Sequence, residues 1–273
     1  MEPLHQRAPR PRAQRAPAAR LAATVPIIRY AVLSDIHANH PALDAVLADA
    51  AREGARAVLC LGDLVGYGAD PEACVDIVGE RASALVGGNH EHGVAGLLDL
   101  AWFNPMARAA TLWTREQLAP DTLAWLGARP LTATVEDATL VHASPHRPEE
   151  WDYLLSAEEG FAVFQDFATR LCFVGHSHRP GVWSLGSSGP EHAATFTAWP
   201  VDVALEAGRR YLINVGSVGQ PRDRDPRAAY AVWDVEARRV DIRRVSYDHR
   251  EAARRILAAG LPRLLAERLA GGF

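Results

Sequence analysis

Five short polar clusters in this chain each follow an apolar, strand-like run. They are Asp35-Ile36-His37, Gly62-Asp63, Gly88-Asn89-His90-Glu91, Val141-His142 and Gly175-His176-Ser177-His178. The preceding runs, Tyr30 to Leu33, Ala57 to Leu61, Ala82 to Val86, Ala138 to Val141 and Leu171 to Val174, are rich in Val, Leu, Ala or Ile. Carboxylates, imidazoles and one amide thus stand at the ends of several strands, where an α/β protein gathers its chemistry. Singly, each has an ordinary explanation: a strand-end His hydrogen-bonds at the surface, an Asp caps a helix, an Asn after two glycines forms a turn. Five in succession, each after a strand, point instead to a site for two divalent cations.

Two such cations about 3.5 to 4 Å apart need one bridging anion and terminal ligands on either side. Asp63 is the natural bridge, because a carboxylate offers two oxygens and Gly62 lets the backbone turn at the strand end. Asp35 and His37 can hold one cation from a single loop, with His178 completing it. Asn89, His142 and His176 can hold the other. Mixed imidazole and carboxylate donors suit Mn, Fe, Ni, Co or Zn better than Ca or Mg, and the absence of Cys from the set argues against a structural zinc site. Such a pair would polarise a phosphoryl oxygen and supply hydroxide at neutral pH. His90 follows a ligand without needing to be one. It can protonate the leaving oxygen, with Glu91 or Asp70 as candidates to orient it.

The elements that position these clusters alternate over the first 150 residues. A strand over 27–33 is followed by a helix whose apolar face is Leu43, Val46, Leu47 and Ala50, with Pro41 in its first turn. A strand over 57–61, a helix over 71–80 and a strand over 82–86 complete a βαβαβ pattern, which favours parallel strands with crossover helices. Residues 93–128 read as helical, broken at Asn104-Pro105 and Pro120-Asp121, with a helix start at Asp121. Short strands then follow at 131–135, 138–142, 171–174, about 198–205, 210–214, 229–235 and 239–245, the last two as a hairpin. The Gly- and Ser-containing stretch 184–195 reads as an exposed loop. Residues 248–270 read as helix, broken near Gly260-Leu261-Pro262.

Composition narrows the partners. The 273-residue chain is 48% hydrophobic with a net charge of −4, which argues against a nucleic-acid or membrane-surface binder. No stretch reaches the roughly 18 to 20 apolar residues of a membrane span. Cys60, Cys74 and Cys172 lack CxxC spacing and read as buried thiols in a reducing, cytoplasmic setting. Residues 1–26, rich in Arg, Pro and Ala, are expected to be a disordered tail, and residues 27–273 one domain including the C-terminal helix. A homo-oligomer is compatible with all of this.

The clusters resemble, in order, the five signature blocks of the calcineurin-like metallophosphoesterases. Ser34-Asp35-Ile36-His37-Ala38-Asn39, Gly62 to Gly68 and the late block Asn214-Val215-Gly216-Ser217-Val218-Gly219-Gln220-Pro221-Arg222 are similar to the small branch often called YfcE-like phosphodiesterases. The resemblance implies a four-layer αββα sandwich of two mixed β-sheets flanked by helices. It also implies the ligand division above, and His90 as acid or transition-state stabiliser. The expected activity is hydrolysis of a small phosphorylated substrate, a phosphodiester or phosphomonoester, with two divalent transition-metal ions, Mn favoured. The Asp-Arg pair that protein Ser/Thr phosphatases carry after the second block is Gly66-Tyr67 here. This lowers the expectation of a phosphoprotein phosphatase and weakens that of a dinucleoside tetraphosphatase. A nuclease is disfavoured by the acidic body. A catalytically silent interaction scaffold is disfavoured because all seven ligands and His90 are present. Asn39, Arg179 and Arg222 are candidate substrate contacts, the two Arg as phosphate clamps. Trp151 and Tyr153 are candidates for a stacking wall, with plain packing as the simpler role.

Overall fold

The computed structural model describes residues 29–186, 189–194 and 201–273. Strands β1 (Arg29–Leu33), β2 (Ala57–Cys60) and β3 (Ala82–Leu85) pair in parallel, β1 with β2 and β2 with β3. Their connections are helices α1 (His40–Arg52) and α2 (Pro71–Arg81), so the expected βαβαβ unit is present. The first helix starts where its chemistry requires. Asn39 Oδ1 accepts from Ala42 N, and Pro41 occupies the first turn.

Two six-stranded sheets form the molecule. In the first, β3-β2-β1 continues through β11 (Ala228–Asp234), β12 (Arg239–Val245) and β9 (Val201–Ala204). The second runs β4 (Thr132–Val135), β5 (Ala138–Val141), β6 (Leu171–Val174), β10 (Arg210–Asn214), β7 (Gly181–Gly186) and β8 (Gly189–Ala194). Both sheets are mixed. β11 pairs antiparallel with β1 and with β12, the latter being the hairpin read from sequence, while β6 runs parallel to β5 and β10.

Side-chain alternation assigns each face. Along β1, Tyr30 and Val32 join Leu59, Phe173, Ile213 and Trp233 between the sheets, while Ala31 and Leu33 join Leu43, Val46, Val75 and Val78 under the helices. The outer face of the second sheet, with Val174 and Leu212, packs on Phe164, Phe167 and Leu154. The layers are thus helix, sheet, sheet and a helix-containing layer, as expected.

The remaining helices are α3 (Asn89–Ala95), α4 (Pro105–Gln117), α5 (Pro120–Gly127), α6 (Ala157–Ala162), α7 (His249–Ala258) and α8 (Arg263–Glu267). The breaks at Asn104-Pro105 and near Gly260 fall where expected. The α5 start lies at Pro120 rather than Asp121. One expectation fails: 184–195 is not a loop over its described part, because Gly181–Gly186 and Gly189–Ala194 pair as an antiparallel hairpin. Backbone pairing with β10 carries that hairpin, where side-chain periodicity gave no signal. The tail expected over 1–26 lies outside the described residues. No helix of the described residues is long and apolar enough to cross a membrane.

Candidate metal centre

Six strands end at one place. β1, β2 and β3 deliver Asp35, Asp63 and Asn89 from the first sheet, and β5, β6 and β10 deliver His142, His176 and the 214–222 loop from the second. The connection between sheets is polar as well as apolar. His176 N donates to Asp35 Oδ2 at 2.9 Å, and Ser217 Oγ donates to Asp35 O at 2.8 Å. Asp35, His37, Asp63, His176 and His178 all sit at positive φ, between 50° and 62°. Strained backbone of this kind persists only where surrounding structure enforces it, and it concentrates at functional sites.

The expected ligands converge. Asp35, His37 and His178 form one group with donor atoms within 4.8 Å of one another, Asp63, His142 and His176 another, and His37, Asp63 and His90 a third. His37 Nε2 lies 3.7 Å from both Asp35 Oδ1 and Asp63 Oδ2. His142 Nε2 lies 3.2 Å from Asp63 Oδ2 and 3.2 Å from His176 Nδ1. Asp63 therefore faces both groups. Its other oxygen, Oδ1, accepts from His90 N at 2.9 Å.

The chemistry of the donors fits cations. His37 Nδ1 faces Val65 O at 3.0 Å, His142 Nδ1 faces Leu61 O at 2.9 Å and His178 Nδ1 faces Gln220 O at 2.5 Å. A carbonyl only accepts, so each Nδ1 carries a proton and each ring turns its Nε2 inward, where a lone pair is available whenever the ring is neutral. Two oxygens are left bare in the same place. Asn89 Oδ1 and Asp35 Oδ1 are buried without a hydrogen-bond partner, although His178 Nε2, which carries no proton in this tautomer, stands 3.2 Å from the latter. Converging lone pairs and buried unpartnered oxygens are costly unless a cation satisfies them.

Charge follows burial. Burial alone would raise both Asp35 and Asp63. The His178, His37 and His142 imidazoles hold Asp35 well below the usual carboxylate range, and His142, His90 and His37 do the same for Asp63. Burial pushes His90, His176 and His178 down to about 3 each. His142 is the exception. Burial opposes its charge, but Asp63 and Asp35 push it up to about 9.

Several residues whose roles the sequence did not show complete the site. Glu91 does not orient His90. Its Oε2 accepts from Asp63 N at 2.6 Å and Gly88 N at 2.8 Å, and its Oε1 accepts from Leu64 N at 2.8 Å. Burial and the Asp63 charge push Glu91 up to about 7, against the pull of those backbone donors. Asp70 pairs with Arg255 at 3.1 Å instead, and His90 Nδ1 is buried without a partner. Tyr67 packs its ring against His37 and His90, with 4.6 Å between centroids in each case. Gly66, at φ +86°, has no room for a side chain, since a Cβ there would fall on the His90 imidazole. No sequence signal marked Glu91 as a clamp, because its partners are backbone amides that every residue has.

The candidate substrate contacts separate. Asn39 is buried, and beyond capping α1 its Nδ2 donates to Gly219 O at 2.8 Å and to Tyr247 Oη at 3.3 Å. Both amide protons are therefore committed to holding loops together. Arg179 is exposed, and its Nε donates to Arg222 O at 3.0 Å. Arg222 reaches inward. Its Nη2 lies 3.4 Å from Tyr67 Oη and 3.0 Å from Gln220 Oε1, and its charge acts on both His90 and His178. On the opposite side, half-exposed Tyr153 stacks on His176 at 4.0 Å, and Trp151 meets His92 and His142 edge-on.

The comparisons agree with this geometry. Residues 28–180 match the sequence profile of the calcineurin-like phosphoesterases. An uncharacterised protein of Methanocaldococcus jannaschii is 38% identical over 246 residues, covering 88% of this chain and 96% of its own. The crystal structure of a metallophosphoesterase from Sphaerobacter thermophilus is 40% identical with a TM-score of 0.78, covering 91% of this chain and all of its own. A hypothetical protein from Pyrococcus horikoshii shares the fold at 20% identity, with a TM-score of 0.71 and coverage of 90% of this chain and 98% of its own.

Proposed function

The chain belongs to the calcineurin-like phosphoesterases and is a metal-dependent phosphoesterase, and on that premise we propose that it hydrolyses a small phosphodiester or phosphomonoester at a two-cation centre. The observation that carries the two-cation reading is the pair of donor groups on either side of Asp63. Asp35, His37 and His178 would hold one cation and Asn89, His142 and His176 the other, with Asp63, which faces both groups, shared between them. Two bound cations supply Lewis acidity at the phosphoryl group and lower the pKa of water. Manganese is favoured, with iron, nickel, cobalt and zinc compatible with the same nitrogen and oxygen donors.

The protein's own groups do the rest. The Nδ1 bonds of His37, His142 and His178 to carbonyls keep each ring in the tautomer that binds a cation. Glu91 holds the backbone of residues 63 and 64 against that of residue 88, which fixes Asp63 relative to Asn89. His90, kept neutral by burial, serves as an N–H donor to the leaving oxygen, the transition-state stabilising form of the role expected of it. Arg222, which pairs with no carboxylate among the described residues, offers its guanidinium to an anionic oxygen of the substrate. The buried free thiols of Cys60, Cys74 and Cys172 support a reducing, cytoplasmic setting.

The test is turnover of bis(4-nitrophenyl) phosphate and 4-nitrophenyl phosphate by metal-reconstituted protein, with His90→Ala as control. Turnover of either that requires added Mn, Fe, Ni, Co or Zn is expected. Absence of turnover with all five metals would leave the interaction-scaffold alternative standing.

A further inference from the structure

Arg222 is a guanidinium held for something outside the protein. Its Nε is buried without a hydrogen-bond partner, and its Nη2 contacts only the neutral oxygens of Tyr67 and Gln220. Among the described residues no carboxylate pairs with it. A second guanidinium stands in the same neighbourhood. Tyr67 shares an apolar cluster with Leu265 and Leu269, the residues that bracket Arg268, so the C-terminal helical segment carries Arg268 to the Tyr67 side of the site. Arg224 N, which donates to Gly272 O at 2.7 Å, ties the same segment to the loop that bears Arg222. Arg268 is half-buried, its Nε donates to Phe273 O, and Arg222 acts on it as a repelling charge.

Arg222 lies over the Tyr67 ring, 5.7 Å from its centroid, and Arg268 comes from the segment that packs in the same cluster. Two guanidiniums so placed repel each other, which an anion between them relieves. Their position says which part of a substrate that anion belongs to. Tyr67 contacts His37 and His90 and not His142 or His176, so the pair lies on the His90 flank of the metal centre. His90 is the group that meets the leaving oxygen.

We propose that Arg222 and Arg268 form a subsite for a second anionic group carried by the leaving alcohol, so that the favoured substrates are phosphoesters whose leaving group bears its own phosphate or phosphonate. The proposal rests on the phosphoesterase reading above and on His90 marking the leaving side. Arg268 is then a specificity-determining residue delivered by the C-terminal segment.

The probe is a matched pair, phenyl phosphate and 4-(phosphonomethyl)phenyl phosphate, whose leaving phenols differ chiefly by one uncleavable anionic group. The readout is the ratio of their kcat/KM values on Mn-loaded full-length protein. Wild type is expected to favour the charged substrate by roughly 10- to 100-fold, the effect of one charge-assisted hydrogen bond. Arg268→Gln should bring the ratio towards one, and Arg268→Lys should retain part of it. A wild-type ratio near one, or a ratio that survives Arg268→Gln, overturns the proposal. If wild type turns over neither monoester but cleaves bis(4-nitrophenyl) phosphate, the phosphoesterase reading stands, and if it cleaves none of the three that reading fails; in either case calorimetric binding of the two monoesters decides the subsite. Tighter binding of the phosphonate in wild type but not in Arg268→Gln supports it, and equal binding of the two compounds overturns it.

Discussion

His37 Nε2 and His178 Nε2 face each other at 3.1 Å while both rings keep their Nδ1 protons on backbone carbonyls, Val65 O and Gln220 O. Two lone pairs at that distance repel unless a cation joins them. The protein maintains this pairing across 141 residues of sequence and between its two sheets. Binding energy at such a site is largely folding energy, because the unfolded chain does not present the ligands together.

The pH dependence of metal-free protein follows from these imidazoles. His176 and His178 have folded pKa values lowered by burial to about 3, so their contribution to stability is whole above roughly 6.5 and is lost as pH falls toward 3. His142, raised to about 9, behaves oppositely: its contribution is whole below roughly 6.5 and is lost as pH rises through 9. The melting temperature of chelator-treated protein should therefore peak near pH ~6.5 and fall on both sides. A melting temperature rising steadily from pH 5 to 9 would contradict these assignments.

Asp63→Asn should empty the centre more than it unfolds the protein. The amide keeps the shape and the acceptor for His90 N but removes the charge that both donor groups face. Elemental analysis should show a loss of at least one metal equivalent, with far-UV circular dichroism unchanged. Two full equivalents in the variant would remove Asp63 from the bridging position.

Glu91→Ala tests the clamp. It strands the buried amides of Asp63, Leu64 and Gly88, whose combined desolvation should cost roughly 3 kcal/mol or more in urea unfolding. A loss below about 1 kcal/mol would mean that the loops hold their places without it.

His90→Gln separates two roles for one imidazole. Metal content should stay at two equivalents while kcat falls roughly 10²- to 10⁴-fold. Because burial keeps His90 neutral, wild-type kcat/KM should show no basic limb near pH 7 belonging to it. A limb that is present in wild type and gone in His90→Gln would make it a proton donor of ordinary pKa instead.

Much of this was legible in the sequence for a physical reason. The parallel strands around β1 and β2 carry continuous apolar runs, and their ends are marked by Asp and His that no core would hold without a purpose. The site's supporting parts were not legible. Val65 O, Leu61 O and Gln220 O orient three imidazoles through backbone that any residue supplies. Asn39 reads from sequence as a candidate substrate contact, and its amide serves the α1 cap and the Gly219 loop. The β7–β8 hairpin escaped detection because its Gly, Ser and Pro content imitates a loop. Arg268 lies 46 residues beyond Arg222 in the chain, and only the packing of the C-terminal segment on Tyr67 relates the two.

Titration of chelated protein with Mn²⁺, with bound metal and phosphoesterase turnover followed together, tests the two-cation centre most directly. Two ions per chain are predicted, with turnover appearing only as the second site fills. Saturation at one ion, or full turnover in the chelated protein, would contradict it.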